Sequence, residues 1–227
     1  MSSSESPTYI AIGDIHGCAK TLAALLSDLD AKYGATVEYV FLGDYVDRGP
    51  DTQSVINQCI EFSSTHSCIF IRGNHDLMML EALGKTGTKA MMNHWLRFGG
   101  DETMASYKCE VSQEHLDFLE KTVIFLDTEE YFFVHASAPI SVTIAEGMRQ
   151  KDAESSYLWG RDHIEKTDLP WEKTVVFGHT PFKEPLVTKQ MIGLDTGCVY
   201  VERDLGMLTA MALPGMEIIQ KECIDFN

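Results

Sequence analysis

Short apolar runs recur along the chain, and each gives way to a polar residue of a few types, usually after a glycine. Tyr9-Ile10-Ala11-Ile12 ends at Gly13-Asp14, Val37 to Leu42 ends at Gly43-Asp44, and Cys68 to Ile71 ends at Arg72-Gly73-Asn74-His75. Runs of this length and composition predict buried strands. After the first, Leu22, Leu25, Leu26 and Leu29 fall on one face of a helix, with Gly34 as its stop. Pro50-Asp51-Thr52 opens a second helix that runs to Phe62, with Asp51 or Thr52 as its N-cap. A β-α-β-α-β order implies parallel pairing with right-handed crossovers, and such sheets gather functional groups just past the carboxyl ends of their strands.

From Leu77 to Leu126 the pattern is mostly helical, interrupted by Gly84, Gly87, Gly99 and Gly100. Tyr131 to Val134 is a further strand ending at His135, and Thr174 to Phe177 another ending at Gly178-His179. Met191 to Ile219 reads as β-rich, with turns at Gly197, Gly206 and Pro214-Gly215. Residues 1–7 are expected to be a disordered tail and 8–227 a single domain, in which the helical segment 78–128 shapes a rim. Trp95, Phe98, Tyr107 and the Gly99-Gly100-Asp101-Glu102 turn are the candidates for that rim.

Composition narrows the picture. With 44% hydrophobic and 23% charged residues, the 227-residue chain is of ordinary globular type. Its formal net charge of −16 opposes general binding to nucleic-acid backbones. The six cysteines form no CxxC pair and read as reduced thiols that fill the core, Cys18 as a small thiol packed at a helix start. The Met78-Met79 and Met91-Met92 pairs also read as core. The N-terminus lacks the basic and apolar regions of a signal peptide, and no apolar run approaches the roughly 20 residues of a membrane span. The expected location is cytoplasmic, with no membrane partner.

The chemistry lies at the strand ends. Gly-Asp alone closes many turns, but five runs that each end in Asp, Asn or His do not repeat by chance. Imidazole and carboxylate together suit Mn²⁺, Fe or Zn²⁺, and one carboxylate can bridge two ions about 3.5–4 Å apart. His66, His94, His115 and His163 lie outside this pattern and are expected to pack or face solvent; of these, His94 is the one best placed to meet substrate.

Gly13-Asp14-Ile15-His16-Gly17, Gly43-Asp44-Tyr45-Val46-Asp47-Arg48-Gly49 and Gly73-Asn74-His75-Asp76 resemble the three signature motifs of the phosphoprotein phosphatase family. That is the metal-dependent serine/threonine phosphatase group, here of bacterial type, within the calcineurin-like metallophosphoesterases. His135-Ala136 and Gly178-His179 resemble its remaining metal histidines, so the likeness spans residues 9 to about 210. It implies an α/β fold, a four-layer α/β/β/α sandwich with two central mixed β-sheets. It also implies two divalent ions, Mn²⁺ foremost with Fe or Zn²⁺ as alternatives. Asp14, His16 and Asp44 would hold the first ion, with Asp44 bridging to a second held by Asn74, His135 and His179. A water between the ions would attack phosphorus, His75 would protonate the leaving group, and Asp47 would orient His75. Arg48, Arg72 and Arg161 would clamp the phosphoryl oxygens, and Asp195-Thr196-Gly197 would be structural near the site.

The resemblance implies a phosphate-monoester hydrolase, first of all a serine/threonine protein phosphatase that extends to phosphotyrosine. The substrate would be a phosphorylated protein or a small phosphomonoester. The alternatives are a dinucleoside polyphosphate (diadenosine tetraphosphate) hydrolase and a nucleotide or RNA-end phosphatase. Symmetric dinucleotide cleavers generally lack the aspartate that corresponds to Asp47, whereas some asymmetric ones keep it. A non-catalytic member would have lost a ligand or the acid, and none is missing.

Overall fold

The computed structural model describes residues 8–226, so the expected tail at 1–7 lies outside the described residues. Strand β1 (Tyr9–Ile12) is followed by α1 (Ala19–Tyr33), β2 (Glu38–Phe41), α2 (Thr52–Ser63) and β3 (Ser67–Phe70). Four helices come next: α3 (Asn74–Leu83), α4 (Lys89–Trp95), α5 (Asp101–Ser106) and α6 (Gln113–Glu120). Then come β4 (Phe125–Asp127), β5 (Tyr131–Val134), the short helices α7 (Ile144–Gly147) and α8 (Glu154–Trp159), and β6 (Thr174–Phe177). Strands β7 (Leu186–Val187), β8 (Met191–Gly193), β9 (Met207–Leu213) and β10 (Glu217–Glu222) complete the order. Helix α1 buries Leu22, Leu25, Leu26 and Leu29 and ends at Gly34, and the Asp51 side chain caps α2 by accepting from the Ser54 N–H at 3.0 Å. Each of those leucines contributes about 1.5–3 kcal/mol by leaving water.

Two five-stranded sheets result, in the orders β10-β9-β1-β2-β3 and β4-β5-β6-β8-β7. Both are mixed: β1–β2, β2–β3, β5–β6 and β6–β8 are parallel, whereas β1–β9, β9–β10, β4–β5 and β7–β8 are antiparallel. Register decides the layering. Ala11, Val40 and Met211 lie in one row across the first sheet, and Phe133, Val176 and Ile192 in one row across the second. All six belong to a single buried cluster, so these rows face each other between the sheets. Their chain neighbours Ile10, Ile12, Tyr39 and Phe41 point the other way onto α1 and α2, and Phe132, Val134, Val175 and Phe177 onto the α7–α8 side. A strand slipped by one residue would exchange these faces. The outcome is the four-layer α/β/β/α sandwich.

None of the helices is long and apolar enough to cross a membrane among the described residues. The two methionine pairs differ: Met78 and Met79 are buried, whereas Met91 is exposed.

Candidate active site

The carboxyl ends of β1, β2, β3, β5 and β6 open onto one end of the molecule, and the turn after each delivers its polar residue there. Sharp turns require unusual backbone: His16, Asp44, Asp47, Arg48 and His179 all adopt positive φ, between 46° and 73°. Side chains rarely take this conformation without compensation, and its concentration here marks a site held by its surroundings. Two glycines make room for the carboxylates. A Cβ on Gly73 would sit 2.1 Å from Asp44 Oδ1, and one on Gly178 would sit 2.0 Å from Asp14 Oδ1.

Asp14, His16, Asp44, Asn74, His135 and His179 are all buried and converge. Asp44 is central: its Oδ2 lies 3.4 Å from His16 Nε2 and 3.5 Å from His135 Nε2. His16 and His135 each hold Nδ1 2.8 Å from a backbone carbonyl, of Val46 and Leu42 respectively. Those Nδ1–H donors fix the tautomer and leave Nε2 lone pairs facing inward. Asn74 Oδ1 lies 2.9 Å from both His135 Nε2 and His179 Nδ1, and His179 Nε2 is buried without a partner. Among the described residues of this site, two groups have ligand spacing: Asp44 with His135 and His179, and Asp44 with His16 and His75. Asp14 stands beside them, its carboxylate accepting from the His179 N–H at 3.0 and 3.1 Å.

The electrostatics call for cations. Burial, then the charges of Asp195 and Asp44, push Asp14 well above the usual carboxylate range. Burial likewise raises Asp195, to about 7. Burial opposes ionisation of Asp44 too, but His135, His75, His16 and Arg48 overcome it and hold Asp44 below the usual range. Desolvation lowers the pKa of His16, His135 and His179, favouring the neutral imidazole, the form that binds metal. The Arg48 guanidinium rests with Nη1 2.5 Å from His16 Nε2 and Nη2 2.6 Å from His75 Nε2, placing positive charge where those lone pairs point. The donor set therefore fits two divalent ions that share Asp44.

His75 has a different setting. Its Nδ1 lies 2.7 Å from Asp47 Oδ2, and Asp47 also accepts from Trp95 Nε1 (2.9 and 3.0 Å) and Thr103 Oγ1 (2.9 Å). Arg161 lies beside the cleft, with Nε donating to Thr180 Oγ1 at 3.2 Å. Arg72, grouped with the phosphate clamps on sequence, makes its side-chain hydrogen bonds elsewhere. Its Nε donates to Thr122 Oγ1 and its Nη2 to the Leu119, Glu120 and Thr122 carbonyls at the end of α6, where the helix dipole favours a cation.

The rim also differs from expectation. Trp95 is fully buried because its indole N–H serves Asp47, and Tyr107 is buried with its hydroxyl on His115 Nδ1 at 2.7 Å. Phe98 is exposed, and the Gly99 carbonyl accepts from the Arg48 N–H at 3.0 Å. His115 and His163 are buried packing residues, while the His94 ring lies tilted against Phe98, with centroids 4.8 Å apart. Sequence reasoning gave Asp76 no role. Buried at the third position of α3, it accepts from the N–H groups of Gly73, Asp44 and Tyr45, stitching the second and third motifs together. Its adjacency to Asn74-His75 was the available signal.

The model of the calcineurin-like phosphoesterase family matches residues 7–201, most of the chain. The chain belongs to this family. This calcineurin-like phosphoesterase is 28% identical over 234 residues to bis(5'-nucleosyl)-tetraphosphatase PrpE [asymmetrical] of Oceanobacillus iheyensis, covering 92% of the chain and 89% of the relative. The namesake of Bacillus subtilis is 27% identical, with 93% of each covered. Among solved structures, a chain provisionally assigned as a diadenosine tetraphosphatase superposes with a TM-score of 0.67 at 22% identity, over 96% of this chain and 95% of that one. A cold-active protein-tyrosine phosphatase of a Shewanella species gives 0.61 at 14% identity, over 96% and 81%. Both likenesses are of fold.

Proposed function

We propose that this phosphoesterase hydrolyses dinucleoside polyphosphates asymmetrically, releasing a nucleoside monophosphate and the remaining nucleotide. The observation that carries the substrate is the end-to-end similarity to relatives named for that activity. It takes precedence over the protein-phosphatase reading of the motifs. In this proposal Asp14, His16 and Asp44 would hold one divalent ion, and Asp44, Asn74, His135 and His179 would hold the other, Mn²⁺ being well suited to such mixed nitrogen and oxygen donors. Two such ions would supply charge neutralisation at the phosphoryl group and would lower the pKa of a water.

The protein's own groups do the rest. Arg48 and Arg161 bind phosphoryl oxygens, and a planar guanidinium orients them for in-line displacement. Arg72 is left out of this assignment, since its Nε and Nη2 donate to Thr122 Oγ1 and to carbonyls at the α6 terminus. His75 delivers a proton from Nε2 to the leaving oxygen while Asp47, bonded at Nδ1, holds the ring in position.

That dyad favours a second reading, hydrolysis of phosphomonoesters including phosphoserine peptides. A polyphosphate leaves as a stable anion, whereas an alkoxide needs a proton. The deciding experiment compares kcat/KM with Mn²⁺ on diadenosine tetraphosphate, a phosphopeptide, an aryl phosphate and a mononucleotide, with chromatography of the products. Diadenosine tetraphosphate should lead, giving ATP and AMP. A phosphopeptide leading by orders of magnitude, or ADP as the sole product, would refute the proposal.

A further inference from the structure

The sequence scatters its cysteines, but the fold gathers three of them. Cys18, Cys198 and Cys223 place their sulfurs within 4.8 Å of one another, outside the His/Asp cluster and buried to 0%, 2% and 5% exposure. Cys18 immediately precedes α1, two residues past His16; Cys198 follows the Asp195-Thr196-Gly197 turn; Cys223 follows β10. Cys223 Sγ lies 3.9 Å from Cys18 Sγ and 4.0 Å from Asp225 Oδ2. With metal–sulfur bonds of about 2.3 Å, a tetrahedral thiolate site has sulfurs about 3.8 Å apart. The spacing is that of a cation site, and burial closes it to substrate.

We propose that Cys18, Cys198 and Cys223 form a structural thiolate site for a soft divalent cation, Zn²⁺, distinct from the two-metal centre, with Asp225 as the oxygen neighbour. Several features suit this chemistry. Three soft donors select Zn²⁺ over Mn²⁺ or Mg²⁺. Cys18 sits at the N-terminus of α1, where the helix dipole favours a negatively charged group. The surroundings are already fixed: Asp225 accepts from the Lys20 and Thr21 N–H groups at 2.9 and 3.0 Å and from Thr21 Oγ1 at 2.5 Å, and the Cys223 N–H donates to the Gly206 carbonyl at 2.8 Å. On binding, the ion displaces the thiol protons to solvent. It would then join the loop carrying His16, the turn carrying Asp195 and the end of the chain at one point.

Reduced full-length protein, saturated with Mn²⁺ at the His/Asp centre, is titrated with Cd²⁺ as a thiolate probe. A sulfur-to-metal charge-transfer band should grow to one equivalent and be suppressed by competing Zn²⁺. Asp44→Asn should keep the band, as should Cys68→Ser and Cys109→Ser. Cys198→Ala and Cys223→Ala should lose it. X-ray absorption at the zinc edge of unsubstituted protein carrying one equivalent should show three sulfurs at about 2.3 Å, a measurement that stands even where a cysteine variant misfolds. A zinc shell of nitrogen and oxygen alone, a band that persists in both core-cysteine variants, or a Cys18–Cys223 disulfide in protein purified without reductant would overturn the proposal.

Discussion

Asp47→Asn keeps the shape of a buried side chain and removes its charge. The new amide oxygen can still accept from Trp95 Nε1 and Thr103 Oγ1, and its NH₂ can donate to His75 Nδ1. The loss is the charge-assisted bond at 2.7 Å that holds the His75 ring in position. Bonds of this type contribute about 1.5–3 kcal/mol, which corresponds to a drop in kcat of about ten- to 150-fold where the leaving group needs the proton. A phosphopeptide, expelling an alkoxide, should feel the whole effect. Diadenosine tetraphosphate, expelling a polyphosphate anion, should stay within about threefold. The assay is a pair of kcat measurements on variant and parent, with metal content checked by elemental analysis. Equal losses on both substrates, or loss of metal, would show that Asp47 maintains the site's structure and that the proton-delivery reasoning fails.

His75→Asn should retain both ions by elemental analysis while lowering phosphopeptide turnover by about 10²-fold or more; metal loss would contradict its separation from the ligand set. Arg72→Ala should cost about 1–2 kcal/mol in urea unfolding through the freed carbonyls of α6 and leave KM nearly unchanged, whereas Arg48→Ala should raise KM or lower kcat strongly; a large KM effect at Arg72 would return it to the clamp. Gly178→Ala should displace Asp14 and reduce metal loading after dialysis, because the added carbon would overlap Oδ1; full loading would show that Asp14 can move away freely. His163, packed against Phe177 and Trp171 with both ring nitrogens unpaired, is held neutral by burial, its pKa lowered from 6.5 to about 4. The folded chain thus binds fewer protons than the unfolded one, so this stability is complete above the unfolded value and is lost as pH falls from about 6.5 to about 4, by up to about 3 kcal/mol. Urea unfolding of His163→Phe should show a flatter pH dependence across that window, and an unchanged slope would sink the assignment.

Local pattern made much of this protein legible. Strand β1, the leucine face of α1, the Asp51 cap and the strand ends carrying Asp14, Asp44, Asn74, His135 and His179 all follow from short-range rules, because strand length, helical spacing and capping are properties of neighbouring residues. Spacing alone left open which strands pair and which faces meet; the two mixed sheets came from a resemblance and from the register of Ala11, Val40, Phe133 and Val176. Contacts between distant segments were decided by tertiary structure. Trp95 turns inward to Asp47 rather than outward to a rim, Arg72 turns to the end of α6, and Asp76 joins two motifs. Cys18, Cys198 and Cys223 illustrate the limit most plainly. More than 200 residues separate the first from the last, and no periodicity relates them. Only the packing of β10 and the chain end against the start of α1 brings three soft donors to one place.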